Sequence, residues 1–238
     1  MSKGLNILVT GASRGMGNAI AKKVSSRADT LLLTSKYAHT INEAVEEMRT
    51  YFKGRICYSN FDQSNAIDAA GEFEKWVMAN VDHLDAMILS AGDFIEGKLQ
   101  EVRDNDFIEN MNINFYFNYF AVNRLIPLLK KAINPKIIII GSTAAYDAYS
   151  VPTYSITKWT LRGFAINLRK ELMEDGIGVT FISPGATLTD MWADVQLPVD
   201  RMLDPDDIAK IIDNLFELSG QAVVEELIVR PMLGDIDE

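Results

Sequence analysis

Cysteine and histidine are scarce in this chain, and their scarcity excludes two common kinds of site. The single cysteine, Cys57, has no second cysteine with which to form an internal disulfide, and its apolar neighbours are typical of a small core residue. The two histidines, His39 and His83, have no cysteine beside them in the sequence. We therefore expect neither a disulfide-stabilised fold nor a histidine-rich metal site.

Positive charge and long apolar runs are also lacking. The net charge is -10, from 33 acidic and 23 basic residues, which argues against a nucleic-acid surface and against docking on an anionic membrane. No apolar run approaches the length of a membrane-spanning helix. A strand-like segment begins almost at once after Met1, which leaves no room for a signal peptide, so we expect a cytoplasmic protein.

Apolar runs typical of strands alternate with helical patterns along all 238 residues, without a linker rich in proline, glycine or serine. The predicted strands lie near residues 5–10, 30–35, 55–59, 85–90, 136–141, 177–182 and 227–229. The predicted helices lie near residues 15–27, 40–51, 66–80, 104–131, 153–175 and 205–218. Strands that are almost wholly apolar are typical of parallel sheets covered on both faces. The pattern predicts one α/β domain, a doubly wound, mostly parallel, seven-stranded Rossmann sheet with helices on both faces.

A glycine-rich loop, Thr10 to Gly17, follows the first predicted strand and precedes the first predicted helix. Such a loop lets backbone amides approach a pyrophosphate that faces the helix N-terminus. The alternative is a tight turn that serves packing alone. The position of the loop at the first strand–helix junction favours dinucleotide binding.

Tyr154 and Lys158 stand four residues apart on a predicted helix, so that their side chains share one face. A nearby ammonium favours the phenolate, and we expect it to lower the pKa of Tyr154 towards neutrality. A tyrosine tuned in this way can give a proton to a carbonyl oxygen and take it back. Ser142 lies at the carboxyl end of the preceding strand, where open α/β sheets bind ligands. The Tyr-x-x-x-Lys spacing alone is equally compatible with an ordinary amphipathic helix.

Taken together, these features resemble the short-chain dehydrogenase/reductase family in its shorter, single-domain form, which includes the 3-oxoacyl-carrier-protein reductases. The resemblance extends over essentially the whole chain. Its further landmarks are Asp62, Ser90-Ala91-Gly92, Asn112, Ser183-Pro184-Gly185 and Pro205-x-Asp207-Ile208-Ala209. Two departures are that Ser90 replaces the usual asparagine, and that Phe115 stands where the family has glycine after its asparagine.

The resemblance implies a catalytic tetrad of Asn112, Ser142, Tyr154 and Lys158. Tyr154 would be the acid and base, and Lys158 would hold the nicotinamide ribose and lower the tyrosine pKa. Ser142 would hydrogen-bond the substrate oxygen. Asn112 would hold a water molecule that relays protons from Lys158. The resemblance also leaves open a regulator that binds NADPH without catalysis, or a purely structural Rossmann domain.

The resemblance further implies NADP(H) as cofactor, because Ser35 stands where NAD-dependent members carry an acidic residue. Lys36 and Arg14 would then accept the 2′-phosphate. Asp62 would meet the adenine amino group, and Thr187 and Thr189 the nicotinamide carboxamide. The implied cofactor-binding residues are Gly11, Ser13, Arg14, Gly15, Met16, Gly17, Ser35, Lys36, Asp62, Ser90, Ala91, Gly92, Tyr154, Lys158, Pro184, Gly185, Thr187 and Thr189.

The substrate and the assembly are less sharply indicated. We expect a small ketone or aldehyde, with a 3-oxoacyl group as a further possibility that the acidic Asp175 disfavours. A short substrate loop is predicted near residues 189–205. The candidates to line an apolar pocket are Ala145, Tyr146, Tyr149, Met191 and Trp192, with core packing as an equal alternative for each of the large ones. The aromatic-rich helix near residues 107–132 resembles the pairing helix of family members, which predicts a homodimer or homotetramer rather than a monomer.

Overall fold

The computed structural model describes residues 4–147, 150–189 and 199–234. They form one seven-stranded sheet in the order β3-β2-β1-β4-β5-β6-β7, and every neighbouring pair is parallel. The strands are β1 Leu5–Thr10, β2 Ala28–Ser35, β3 Arg55–Asn60, β4 Ala86–Leu89, β5 Lys136–Ile140, β6 Gly178–Pro184 and β7 Glu226–Val229. All seven predicted strands and the doubly wound α/β fold are confirmed.

The helices cover both faces of this sheet. They are α1 Gly15–Val24, α2 Ala38–Arg49, α3 Ala66–Asn80, α4 Asp104–Met111, α5 Phe117–Leu129, α6 Pro152–Glu171 and α7 Pro205–Leu215. One apolar core joins the sheet to α3, α5 and α6, and a second joins its other face to α1, α2 and α7. Among the described residues, no helix has the length and apolar character that crossing a membrane requires.

Local sequence explains why α6 and α7 begin where they do. Each helix has a proline in its first turn, Pro152 in α6 and Pro205 in α7, where the missing N–H has no helical partner to lose. Asp204 caps α7, since its carboxylate accepts a hydrogen bond from the Asp206 N–H at 2.9 Å. These starts place the first turn of α6 beside the carboxyl end of β5.

The helix predicted near residues 104–131 is not a single regular helix. A π-helical turn, Asn112–Tyr116, separates α4 from α5. Such a turn adds a residue to the helical repeat, so it rotates the side chains that follow relative to a regular helix. The sequence pattern contained no proline or glycine at this point that would have indicated the change.

Two strand ends meet where the strand order reverses, between β1 and β4. In doubly wound sheets the crevice at this point, outside the carboxyl ends of the strands, is the usual ligand site. The glycine-rich loop after β1 and the Ser90-Ala91-Gly92 turn after β4 both open into it. The Thr10 hydroxyl oxygen ties the two together by accepting the N–H groups of Ser90 at 3.1 Å and Ala91 at 3.2 Å.

Candidate active site

Ser142, Tyr154 and Lys158 converge at the carboxyl end of β5. Tyr154 and Lys158 lie one turn apart on α6, and the Lys158 Nζ is 5.3 Å from the centre of the Tyr154 ring. The Ser142 side chain hydrogen-bonds the Tyr154 phenol. The hydroxyl of Ser142 also accepts the Ala144 N–H at 3.2 Å, which orients it at the end of the strand. Three of the four predicted catalytic residues therefore lie together.

Burial sets the protonation of this cluster. It raises the pKa of Tyr154 to about 12, although the hydrogen bond from Ser142 acts in the opposite direction. It lowers the pKa of Lys158 to about 8. The expectation that Lys158 brings the tyrosine pKa down was thus wrong for this arrangement, because desolvation of the phenolate is the larger effect. Near pH 7 the phenol holds its proton and the ammonium is mostly charged.

Asn112, the fourth predicted catalytic residue, lies elsewhere. Its side-chain amide donates to the Ser64 carbonyl at 2.7 Å, in the loop between β3 and α3. Asn114 lies beside the cluster instead, because its amide and the Lys158 ammonium both approach Gly92. A Cβ atom built on Gly92 would lie 3.1 Å from the Asn114 Oδ1 and 3.4 Å from the Lys158 Nζ. Two residues along a helix turn a side chain by about 200°, so both asparagines cannot face the same site. The assignment of Asn112 to the site was therefore wrong.

The Asn114 amide holds the loop that follows β4. Its Oδ1 accepts the Asp93 N–H at 2.9 Å, and its Nδ2 donates to the Asp93 carbonyl at 2.9 Å. The same Nδ2 lies 3.1 Å from the Thr157 hydroxyl oxygen on α6. Asn114 is almost wholly buried, so these bonds are shielded from water. One side chain thus ties the loop after β4 to the helix that carries Tyr154 and Lys158.

Asn110 and Phe94 belong to this arrangement, and the sequence interpretation missed both. Asn110 is fully buried, donates to the Asp93 carbonyl at 3.2 Å and accepts from the Asn114 Nδ2 at 3.1 Å. Phe94 packs its ring edge-to-face on Tyr154, with centroids 5.1 Å apart. The spacing of asparagines four residues apart, at 110, 114 and 118, could have indicated Asn110, whereas no sequence signal indicated Phe94.

The glycine-rich loop is shaped for close backbone approach. Gly11 adopts a positive φ of 67°, and a Cβ there would lie 2.9 Å from the backbone of Ala91. A Cβ at Gly17 would lie 2.1 Å from the Gly11 carbonyl oxygen. Neither position accepts a larger residue without a backbone shift. These contacts pack the loop closely against itself and against the turn after β4, and the N-terminus of α1 that follows is where a pyrophosphate would bind.

The residues expected at the adenosine end of the crevice lie at the ends of β2 and β3. The Ser35 hydroxyl donates to the Tyr37 carbonyl at 2.8 Å. The Lys36 Nζ lies 3.8 Å from carboxylate oxygens of both Asp62 and Glu109, at the limit of an ion pair and beyond hydrogen-bond distance. Arg14 is exposed at the start of α1. No carboxylate takes the place of Ser35, so these residues fit a 2′-phosphate better than a free 2′-hydroxyl.

A cavity of about 90 Å³ lies between the glycine-rich loop and the catalytic cluster. The predicted site residues that line it are Met16, Ser90, Gly92, Ser142, Tyr154, Lys158, Pro184, Gly185, Thr187 and Thr189. Phe94 and Ile140 add apolar walls. The lining unites five different parts of the chain, which sequence spacing alone could not have shown.

Two of the residues predicted to line the substrate pocket lie away from the cavity. Ala145 is buried in the core with α6. The guanidinium carbon of Arg162 lies over the Tyr146 ring, 4.2 Å from the ring centre. Neither lines the cavity, because the short turn after Ser142 directs both side chains towards the core, so this part of the prediction was wrong. Tyr149, Met191 and Trp192 lie outside the described residues.

Comparison with known proteins identifies the family. The sequence model of the family described as short chain dehydrogenase matches residues 5–199. The sepiapterin reductase of Chlorobaculum tepidum is 28% identical over 98% of this chain and 98% of its own length. A metagenomic short-chain oxidoreductase solved in complex with NADP is 26% identical, with a TM-score of 0.83 over 97% of this chain and 98% of that one.

A second solved structure supports the fold alone. The alcohol dehydrogenase of the archaeon Thermococcus sibiricus, complexed with 5-hydroxy-NADP, superimposes with a TM-score of 0.89 over 99% of this chain and 100% of that one, at 23% identity. The family match, the sheet order and the arrangement of Ser142, Tyr154 and Lys158 agree with one another. The chain belongs to the short-chain dehydrogenase family of oxidoreductases.

Proposed function

We propose that this protein reduces a small ketone or aldehyde with NADPH, or oxidises the corresponding alcohol with NADP. The observation that carries the proposal is the contact of Ser142 with the Tyr154 phenol, beside Lys158, in a cavity that also reaches the glycine-rich loop. A proton donor and a dinucleotide site that share one cavity are what carbonyl reduction requires.

The cofactor is NADP(H). The 26% identical metagenomic oxidoreductase was crystallised with NADP. In this chain, the serine at position 35 and the nearby cations Lys36 and Arg14 favour a 2′-phosphate over a 2′-hydroxyl. When bound, the nicotinamide supplies the hydride.

The residues of the chain supply placement and proton transfer. Tyr154, protonated near pH 7, donates its proton to the substrate oxygen. Ser142 hydrogen-bonds the same oxygen and stabilises the charge that develops on it. Lys158 places a positive charge beside the phenol and offers donors to a ribose. Asn114, rather than Asn112, holds the loop after β4 against α6 and takes the structural place of the family asparagine.

The substrate class is a compact carbonyl compound. Phe94 and Ile140 give the cavity an apolar wall next to the Tyr154 hydroxyl. The names of the relatives differ in substrate, since one is a sepiapterin reductase and another, 26% identical, a diacetyl reductase. A 3-oxoacyl substrate remains a member of the same class.

The experiment that tests the function has two stages. The purified protein is titrated with NADPH and with NADH by nicotinamide fluorescence, and NADPH oxidation is then followed at 340 nm with a panel of ketones and aldehydes. We expect binding of NADPH at concentrations at least tenfold below those needed for NADH, and turnover that is lost in Tyr154→Phe while NADPH binding is retained. NADPH binding without turnover on any carbonyl would favour the non-catalytic regulator. Binding of neither cofactor would leave a structural Rossmann domain.

We also propose that the protein forms a homo-oligomer through α5 and α6. Tyr116, Tyr119 and Trp159 are each at least 40% exposed. The Tyr119 ring contacts the rings of Phe115, Phe120 and Phe164 in tilted or edge-to-face geometry, so the aromatic surface bridges both helices. Aromatic residues are enriched at the buried centres of protein interfaces. Size-exclusion chromatography with light scattering tests this proposal, and a monomer at micromolar concentration would contradict it.

The cytoplasmic location stays a prediction.

A further inference from the structure

A second cavity, of about 120 Å³, lies at the amino end of the sheet, opposite the catalytic cluster. It is formed by the starts of β5 and β6, the ends of α6 and α7, and the segment that precedes β7. Lys136 begins β5, and Ser142 follows the end of the same strand six residues later, which corresponds to about 20 Å. The cavity is therefore separate from the cofactor crevice.

Lys136 is the unusual residue of this cavity. It is 9% exposed and lies in a central strand between Ala86 of β4 and Gly178 of β6. Within residues 4–147, 150–189 and 199–234, its ammonium makes no hydrogen bond and no ion pair. Burial accordingly lowers the pKa of this lysine. Lysines with largely buried side chains are ordinarily paired, and Lys136 lacks such a partner among the described residues.

Arg169, at the end of α6, contributes a second cation to the same cavity. Its Nε is buried and has no hydrogen-bond partner among the described residues, although the Glu225 Oε1 lies 3.3 Å away as an ion pair. Asn134 adds a side-chain amide to the wall. Two cations thus line one small space, and among the described residues only Arg169 of the two has a carboxylate partner, which makes the cavity suited to negative charge.

We propose that this cavity binds a small oxyanion, a phosphate or carboxylate group, through Lys136 and Arg169. Charge-assisted hydrogen bonds from an ammonium and a guanidinium are the strongest that a protein offers to such groups. The volume equals that of about four water molecules at 30 Å³ each, which is enough for an inorganic phosphate. The proposal is independent of the reaction at Tyr154.

Thermal unfolding in the presence of inorganic phosphate tests the proposal. The protein is first saturated with NADPH, so that phosphate cannot act at the cofactor crevice, and sodium chloride at equal ionic strength is the reference. At phosphate concentrations ten times the dissociation constant, mass action predicts a rise in Tm of about 3 °C. The rise is expected to be absent in Lys136→Met and reduced in Arg169→Gln.

A matched control is Lys130→Met, which removes an exposed lysine paired with Asp175 at 2.8 Å and should keep the full response to phosphate. Lys136→Met should itself unfold at the same or a higher temperature in chloride, since it removes an unpaired buried charge. NADPH binding by each variant verifies that it is folded. An unchanged phosphate response in Lys136→Met, or no response in the parent protein, would overturn the proposal.

Discussion

Replacing Asn114 by alanine tests how the site is held together, and Asn112→Ala is its natural control. The two residues lie two positions apart in the same π-helical turn, so both substitutions alter the same backbone segment. Asn114 joins the Asp93 backbone to Asn110 and Thr157. Asn112 donates a single hydrogen bond to the Ser64 carbonyl.

The magnitudes follow from the groups that each substitution leaves unpaired. In Asn114→Ala, the Asp93 N–H loses its acceptor and the buried Asn110 Oδ1 loses its donor. Each such group costs about 1–3 kcal/mol, which predicts a free energy of unfolding lower by about 2–6 kcal/mol. Asn112→Ala removes one hydrogen bond at a partly exposed position and should cost about 0.5–1.5 kcal/mol.

The catalytic consequence should separate the two variants further. Without Asn114, the loop that carries Phe94 keeps only the weaker links from Asn110 and Thr153, and a displacement of about 1 Å at the reacting groups can cost about 100-fold in rate. We expect kcat to fall about 10- to 100-fold in Asn114→Ala and to stay within about twofold in Asn112→Ala. Urea unfolding by circular dichroism and steady-state kinetics with NADPH measure both effects. A larger loss of activity in folded Asn112→Ala than in folded Asn114→Ala would refute the reasoning.

Three further predictions follow from other parts of the molecule. Lys36→Met should raise the KM for NADPH about 10- to 100-fold, because one charge-assisted hydrogen bond is lost, while the KM for NADH stays unchanged; parallel increases for both cofactors would contradict this. The kcat/KM for carbonyl reduction should decline as the pH rises through about 8, where Lys158 loses its charge, and a profile that stays flat to pH 10 would show that the charge is dispensable. Tyr119→Glu should convert the oligomer to a monomer in light scattering, whereas Ile133→Glu, at a fully exposed position away from the aromatic surface, should not.

The fold was largely predictable because periodicity and strand composition report burial directly. The run of four isoleucines in β5 is typical of a strand covered on both faces, and all five residues of the strand, Lys136 included, are buried. The π-helical turn at Asn112–Tyr116 was not predictable, since it depends on how α4 and α5 pack together and leaves no local proline or glycine signal.

The site was predictable where it depends on fixed spacing, and not where it depends on rotation or burial. Tyr154 and Lys158 share a face because four residues make about one helical turn. The choice between Asn112 and Asn114 required the rotation of the helix against the loop after β4. Phe94 was missed because nothing in its own segment indicates its position. Asn114 bonds both the N–H and the carbonyl of Asp93, and these two bonds place the ring of the next residue, Phe94, against Tyr154.

Burial explains why one small cluster can hold both a proton and a positive charge. Removal from water opposes ionisation of Tyr154 and protonation of Lys158 alike, so each pKa moves towards the neutral form of its group. The raised pKa is harmless for the phenol, which must be protonated to donate to a carbonyl oxygen. The lowered pKa of Lys158, by contrast, lies only about one pH unit above neutrality. The positive charge is therefore the sensitive part of the site. The Asn114 amide lies beside the same glycine as the ammonium, and the loop that it holds forms one wall of the cavity in which the substrate oxygen would develop negative charge.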